Sequence, residues 1–341
     1  TAFNPTSDSV NEGNEAAIIA IDTVTGADAT ESGSQSVTIT INEYALRTGT
    51  AFTEGTSASQ DAIKSAANWI NLEGSSSTGS VHPYELMNID KVHSFTDGTN
   101  NLTGVGQVIH IADFNCDDSH DIYKNKTIYN LDNGGVGEST FGAAGSSISD
   151  SHCQFVANIA AGDSNADVVG VAPDADLVLS SIPNTSGVYS SDDYARDLDS
   201  ARGYGAVASN NSWSIVNRWE GTSGVNWVDD HLNIAEAQAK VDFYSGTYSK
   251  DEVLAYTMEG ESVNADQTGY WQNYITALNN FQNTGVVVFA NGNNNDESDA
   301  SFMAGLPEFY SQLSEAWVSV MYANFKGTSL DGATTADFER K

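Results

Sequence analysis

The sequence predicts an α/β fold built on a mostly parallel sheet, and three observations lead there. First, short apolar runs read as buried core strands: Val108-Ile109-His110-Ile111-Ala112-Asp113, Leu177-Val178-Leu179 and Gly285-Val286-Val287-Val288-Phe289-Ala290. Second, stretches of helical periodicity lie between them, with Val156, Ile159 and Ala160 in one and Tyr270, Tyr274, Ile275 and Leu278 in another. Third, strand and helix alternate along the chain, as parallel βαβ units do.

Residues 1–80 stand apart by composition, being rich in Ser, Thr, Gly, Asp and Asn. Ala16–Ile21 and Ser36–Ile41 read as strands there, since Val37, Ile39 and Ile41 alternate with polar residues. A helix is expected from Ser59, with Ile63, Ala66, Ala67 and Ile70 on one face. Gly74–Ser80 is a linker by composition. This small β-rich module reads as an accessory unit or a prosegment, and residues 81–341 form the second domain. Within it, strands are expected at Gln107–Asp113, Val168–Pro173, Ala175–Ser180, Ala206–Asn211, Gly285–Asn293 and Ala316–Val320. Helices are expected at His152–Ala161, Asp192–Tyr204 (whose acidic start suits the helix dipole) and Ser262–Thr284, with a loop over Gly134–Ser149.

Composition narrows the function. Forty per cent of the 341 residues are hydrophobic, enough for a large core. Thirteen basic residues against 46 acidic ones leave a net charge of −33. That argues against nucleic acid as a partner, because such binding rests on Lys and Arg neutralising phosphates. Self-repulsion of this size is best tolerated where salt screens it, so a secreted or cell-surface protein is expected; the plain alternative is an acidic surface habit of the host. No run reaches the roughly 18 apolar residues that a membrane span needs. The sequence starts at Thr1 without Met or a signal peptide, so a processed product is expected.

The residues able to carry chemistry sit at the ends of these elements. Asp113 ends a core strand. His152 leads a helix, where a ring is held by a rigid backbone and still faces outward, as a general base requires; the competing reading is a surface histidine on a helix cap. Asn293 follows Gly292 at the end of another core strand, where an amide N–H can stabilise an oxyanion. His82 and His93 read as surface or capping residues, and His110 as a satisfied polar neighbour within the core. No histidines, cysteines or carboxylates show transition-metal spacing.

In this order, these segments resemble the subtilisin-like serine peptidases, whose catalytic residues run Asp, His, Ser along the chain. Asp113 with Asp117 and His120 resembles the family's aspartate segment. His152 with Val156-Ala157 and the later Gly170-Val171-Ala172-Pro173 resembles its histidine helix and following strand. Asn210-Asn211-Ser212-Trp213-Ser214 resembles its substrate-binding edge, and Gly292-Asn293 its oxyanion turn. Tyr84–His93 with Leu102–Gly106 resembles its lead-in, and the likeness runs from about Tyr84 to Asn324.

The resemblance implies a three-layer sandwich and hydrolysis of peptide bonds. Asp113, His152 and Asn293 would serve as orienting acid, base and oxyanion donor. Ser212, Trp213 and Ser214 would pair with the substrate backbone, and Ala290, Asn291 and Gly292 would line the pocket beside the scissile bond. Cys116 and Cys153, placed next to the two catalytic segments, are expected to form a disulfide; two small buried hydrophobes are the alternative. The chemistry requires no cofactor. The family often carries structural calcium, and Asp117-Asp118 and Asp192-Asp193 offer carboxylates for it, although a solvated acidic loop is the favoured reading of each pair. Ile215–Glu261 reads as an insertion, and Pro307 resembles a family proline often found in a cis bond.

The departures are specific. Phe114 and Asn115 stand where the family has small residues, and Cys153, Gln154 and Phe155 stand where it has Gly, Thr and His. A crowded site is expected, with altered specificity or lost activity. The family's nucleophile opens a buried helix in a Gly-Thr-Ser-Met-Ala segment. Gly327-Thr328-Ser329-Leu330 copies three letters of it, but Asp331–Thr335 cannot continue a long apolar helix, so Ser329 is set aside. Without that serine, turnover falls by about 10⁶. The chain is therefore expected to be the Asp/His part of a two-piece secreted endopeptidase, with a C-terminal fragment of the same precursor as its partner. The alternative is an inactive binding or surface-assembly protein of the same fold.

Overall fold

The computed structural model describes residues 15–20, 36–41, 52–67, 69, 83–114, 116, 121–123, 125–132, 152–163, 169–182, 190–215, 232–259, 265–292, 300–321, 323–325 and 338–340. The chain forms two compact units that part between Phe52 and Thr53. In the first, β1 (Glu15–Ala20) pairs antiparallel with β2 (Ser36–Ile41), Ile18 opposite Thr38. The chain therefore divides well before the linker expected near residue 80. The reason is that helix α1 (Ser57–Lys64), capped by Thr56, packs in the second unit beside the short helices α2 (Pro83–Leu86) and α3 (Ile89–Ser94). Trp69 fills the space there, edge-on to Tyr84 at 5.6 Å and to His93 at 6.3 Å.

The second unit is organised by a six-stranded sheet. Its strands are β3 (Val108–Phe114), β4 (Ile128–Asp132), β5 (Asp176–Ile182), β6 (Ala206–Asn211), β7 (Val286–Ala290) and β8 (Trp317–Val320), in the order β4-β5-β3-β6-β7-β8. Every neighbouring pair is parallel. β3 comes first in sequence and sits inside the sheet, with later strands added on both sides; in such sheets ligands bind beyond the carboxyl ends of the strands. A further antiparallel pair joins β9 (Ala323–Phe325) to β10 (Phe338–Arg340).

Helices cover the sheet on both sides. One side carries α5 (Ser191–Gly203), α6 (Ile234–Tyr244), α7 (Lys250–Glu259) and α8 (Ala265–Gln282), whose Leu198, Leu254, Trp271 and Phe281 pack with Val178, Val287 and Phe289 of the sheet. Each such side chain fully buried contributes roughly 1.5–3 kcal/mol. The other side carries α4 (His152–Ala161), whose Cys153, Ala157 and Ala161 meet Ile111, Leu177 and Leu179. The layers are thus helices, sheet and helix. Local chemistry sets the ends: Ser190 with Asp193, and Asn233 with Glu236, form capping boxes on α5 and α6. Gly205 takes φ +85° just after α5, the left-handed turn that ends many helices.

The core strands and long helices lie within a few residues of their expected spans. Several elements differ. β4, the helices α6 and α7 within the stretch read as an insertion, and the β9–β10 pair have no counterpart in the sequence reading. Residues 169–173 are a loop rather than a strand; Val171 and Ala172 donate to the carbonyls of Ile159 and Ala160, satisfying the open end of α4. Pro307 sits in the first turn of α9 (Leu306–Phe309), and its peptide bond is trans. The expected loop over 134–149 lies outside the described residues.

Candidate active site

Asp113 lies near the carboxyl end of β3, on the face turned toward α4. Its neighbours Ala112 and Phe114 turn to the opposite layer by strand alternation. The carboxylate is wholly buried (0 % exposed). The Phe114 amide donates to its Oδ1 at 2.6 Å, and the His152 ring donates from Nδ1 to Oδ1 and Oδ2 at 2.8 and 2.9 Å. With both carboxylate oxygens on Nδ1–H, the lone pair lies on Nε2. The His152 side chain is 58 % exposed, so that nitrogen is open to an incoming proton. Burial pushes the Asp113 carboxyl above the ordinary carboxylate range, while the hydrogen bonds from His152 and Phe114 oppose the rise.

A disulfide joins Cys116 to Cys153 beneath this pair. Cys116 also donates its amide to Ser181 Oγ at 3.1 Å, which anchors the loop after β3 to the end of β5. Among the substitutions expected to crowd the site, Gln154 is buried. Phe114 packs into the opposite layer, Cys153 is buried in the disulfide, and Phe155 projects outward, 58 % exposed. Asn115 lies outside the described residues.

The other expected site residues follow strands of the same sheet. Ser212, Trp213 and Ser214 leave the end of β6, next to β3. Asn210 Nδ2 donates to Ser212 Oγ at 2.9 Å. The Trp213 ring is core, stacked on Tyr194 at 4.9 Å, so only its backbone is available for pairing. Ala290, Asn291 and Gly292 close β7, with Gly292 at φ +87° turning the chain. Ser301, which sequence reasoning missed, clamps that tip: its amide donates to Asn291 Oδ1 at 2.8 Å and its hydroxyl to Ala290 O at 3.1 Å. No sequence signal marks it, because the two partners are ten residues apart in the chain. Asn293, Asp117, Asp118, His82, His120, His231 and Ser329 lie outside the described residues.

The remaining titratable groups belong to the fold. His110 sits between Ser180 Oγ at 2.8 Å and Ser209 Oγ at 2.9 Å, sealed in the layer opposite the Asp113 carboxylate. Burial pushes its pKa down to about 3, so the ring stays neutral. His93, expected at the surface, is buried; its Nε2 donates to Val171 O at 2.8 Å, and burial lowers its pKa. Asp193 completes the capping box of α5 and binds Arg196, and Asp192 accepts from Asn273 at 2.7 Å. Among the described residues, no three His, Cys, Asp or Glu side chains gather as a metal site. None of the described helices is long and apolar enough to cross a membrane.

The model of the Peptidase_S8 family, the subtilases, matches residues 104–336. The chain belongs to the subtilase family. No curated protein sequence matches it. Among solved structures, this subtilase is similar to the prenylagaramide maturation protease PagA, with 15 % identity over 63 % of this chain and 53 % of that one and a TM-score of 0.35. The self-cleaved protease domain of PatA shows 17 % identity over 64 % and 59 %, with a TM-score of 0.36. The psychrophilic subtilisin-like protease Apa1 from the Antarctic psychrotroph Pseudoalteromonas sp. AS-11 shows 19 % identity over 63 % and 36 %, with a TM-score of 0.32. The chain thus spans about half the length of several solved chains that it matches.

Proposed function

We propose that this subtilase is the acid- and base-bearing part of a serine endopeptidase that hydrolyses polypeptides outside the cell. The observation that carries the reading is the Asp113–His152 pair: a buried carboxylate holds one face of an imidazole whose other nitrogen is open to solvent. In the reaction, His152 Nε2 takes the proton of a serine hydroxyl as that oxygen attacks the peptide carbonyl, then passes it to the leaving amine. Asp113 keeps the ring in the required tautomer and stabilises its charged form. Ser212–Ser214 present backbone groups for strand addition by the substrate, Ala290–Gly292 line the adjoining wall, and Asn293 donates to the oxyanion. Side chains alone move the proton and balance the charge, so the chemistry needs no cofactor; a bound calcium ion would serve only the fold.

The serine is proposed to come from a C-terminal segment of the precursor that docks beside α4. Partly exposed apolar side chains support this. On the α4 side of the sheet, Val286, Val318 and Val320 are 38, 45 and 50 % exposed, and Phe155 and Ile159 of α4 are 58 and 56 % exposed. Apolar surface grouped in this way marks a place where another element packs. The net charge of −33 and the disulfide suit a salty, oxidising exterior. The alternative is an inactive binding or surface-assembly protein of the same fold; Phe114, packed into the opposite layer, and Phe155, 58 % exposed, do not favour it.

A fluorophosphonate probe tests the reading on native material, with an intact mass taken before and after denaturation. Labelling of a companion segment, abolished by His152→Ala, is the expected result. No labelling of folded, disulfide-intact material, with no companion segment in the mass, refutes it.

A further inference from the structure

We infer that the Cys116–Cys153 disulfide is a positioning device for the Asp113–His152 pair, over and above any stabilisation of the fold. The inference rests on reading those two residues as acid and base. The cross-link joins the residue three places after the acid to the residue directly after the base. Along the chain, acid and base are 39 residues apart. Through the disulfide they are ends of a six-residue path: Asp113, Phe114, Asn115, Cys116, Cys153, His152. For a flexible chain, loop-closure scaling with the 3/2 power of length turns that shortening into roughly a 15-fold gain in effective concentration of ring at carboxylate, the ceiling for the folded protein, where β3 and α4 already hold the two ends.

The two partners differ in how firmly they are held. Asp113 is a strand residue with no exposure, and the Phe114 amide holds it in place. His152 opens a helix, and its side chain is 58 % in solvent. Its next neighbour, Cys153, is buried against the sheet and bonded to Cys116, and Cys116 Sγ lies 3.8 Å from the carbonyl oxygens of Asp113 and Ser180. The disulfide therefore pins the less secure partner, at the adjacent residue, to the loop that leaves the secure one.

The test reads the ring and not turnover. In ¹⁵N-histidine-labelled protein, the low-field Nδ1–H proton of His152 is compared between the native chain and the Cys116→Ser/Cys153→Ser variant. Should that variant fail to fold, the folded native protein is reduced in place by a dithiol. The reagent's two thiols become its own disulfide, and the protein disulfide takes up two electrons and two protons. The rings of His110 and His93, held by Ser180, Ser209 and Val171, are internal references. Expected is a rise in solvent exchange of the His152 proton on the order of 10-fold, with both reference rings unmoved. An unchanged His152 proton beside free thiols overturns the inference. So does a change shared equally by all three rings, which would mean general loosening. A failed serine probe would leave this result standing, whereas a labelled serine with an unmoved ring proton would remove the inference alone.

Discussion

His110→Gln separates the buried polar row from the catalytic face. Asn211 Nδ2 donates to Ser209 Oγ at 3.0 Å, so the Ser209 hydroxyl is free to donate to His110 Nδ1, and His110 Nε2–H donates to Ser180 Oγ. The row crosses β5, β3 and β6, and Asn211 extends it to the Val288 carbonyl on β7 at 3.2 Å. It requires a neutral ring. The folded pKa is about 3 against 6.5 when unfolded, so between those values the unfolded chain binds the extra proton and stability falls as pH falls. Each unit is worth about 1.4 kcal/mol. The loss from this one group is therefore about 2 kcal/mol at pH 5 and about 5 kcal/mol below pH 3. Glutamine does not titrate. At pH 7 the variant is less stable by about 1–3 kcal/mol, since Ser209 loses its acceptor, but its stability falls about 2 kcal/mol less between pH 7 and pH 5. Urea unfolding at constant ionic strength measures both. His93 and Asp113 also titrate, but they are common to the two proteins and cancel. Equal pH dependence in the two proteins would refute the reasoning.

Asp113→Asn keeps the shape and loses the charge that stabilises the imidazolium, so in the complete enzyme kcat falls about 10⁴-fold at neutral pH with KM little changed, read with a peptide substrate. Cys116→Ser/Cys153→Ser opens a loop of 37 residues and lowers stability by about 4 kcal/mol on the chain-entropy model, seen as a lower urea midpoint. Val318→Thr with Val320→Thr leaves stability within about 0.5 kcal/mol, because both side chains are about half exposed. It nevertheless reduces binding of an apolar fluorescent dye and, on the proposed two-piece reading, weakens capture of the proposed serine-bearing segment.

Local pattern made much of this legible. The strands at 108–114 and 286–290 and the helices at 152–161, 191–203 and 265–282 repeat their apolar residues at the period of their own backbone. That signal needs no distant contact. The same reasoning placed Asp113 at a strand end and His152 at a helix start. β4 escaped because Ile128-Tyr129-Asn130-Leu131 mixes apolar and polar residues over a short span at the edge of the sheet. His93 escaped because its burial depends on Trp69, 24 residues earlier, and on the Val171 carbonyl, 78 residues later.

By itself, then, the sequence determined the alternation of strand and helix, the order of Asp113 and His152 along it, and a strongly acidic balance of 13 basic against 46 acidic residues. Only the tertiary structure decided that the sheet grows outward from β3 on both sides, that the carboxylate of Asp113 meets Nδ1 of His152, and that Phe114 turns to the far layer. It alone decided that Val318 and Val320 of the edge strand β8 are about half exposed. The physical reason is range. Periodicity and capping act over a few residues, whereas a distance of 2.8 Å between groups 39 residues apart is set by how parallel strands register and how a helix is packed and cross-linked above them.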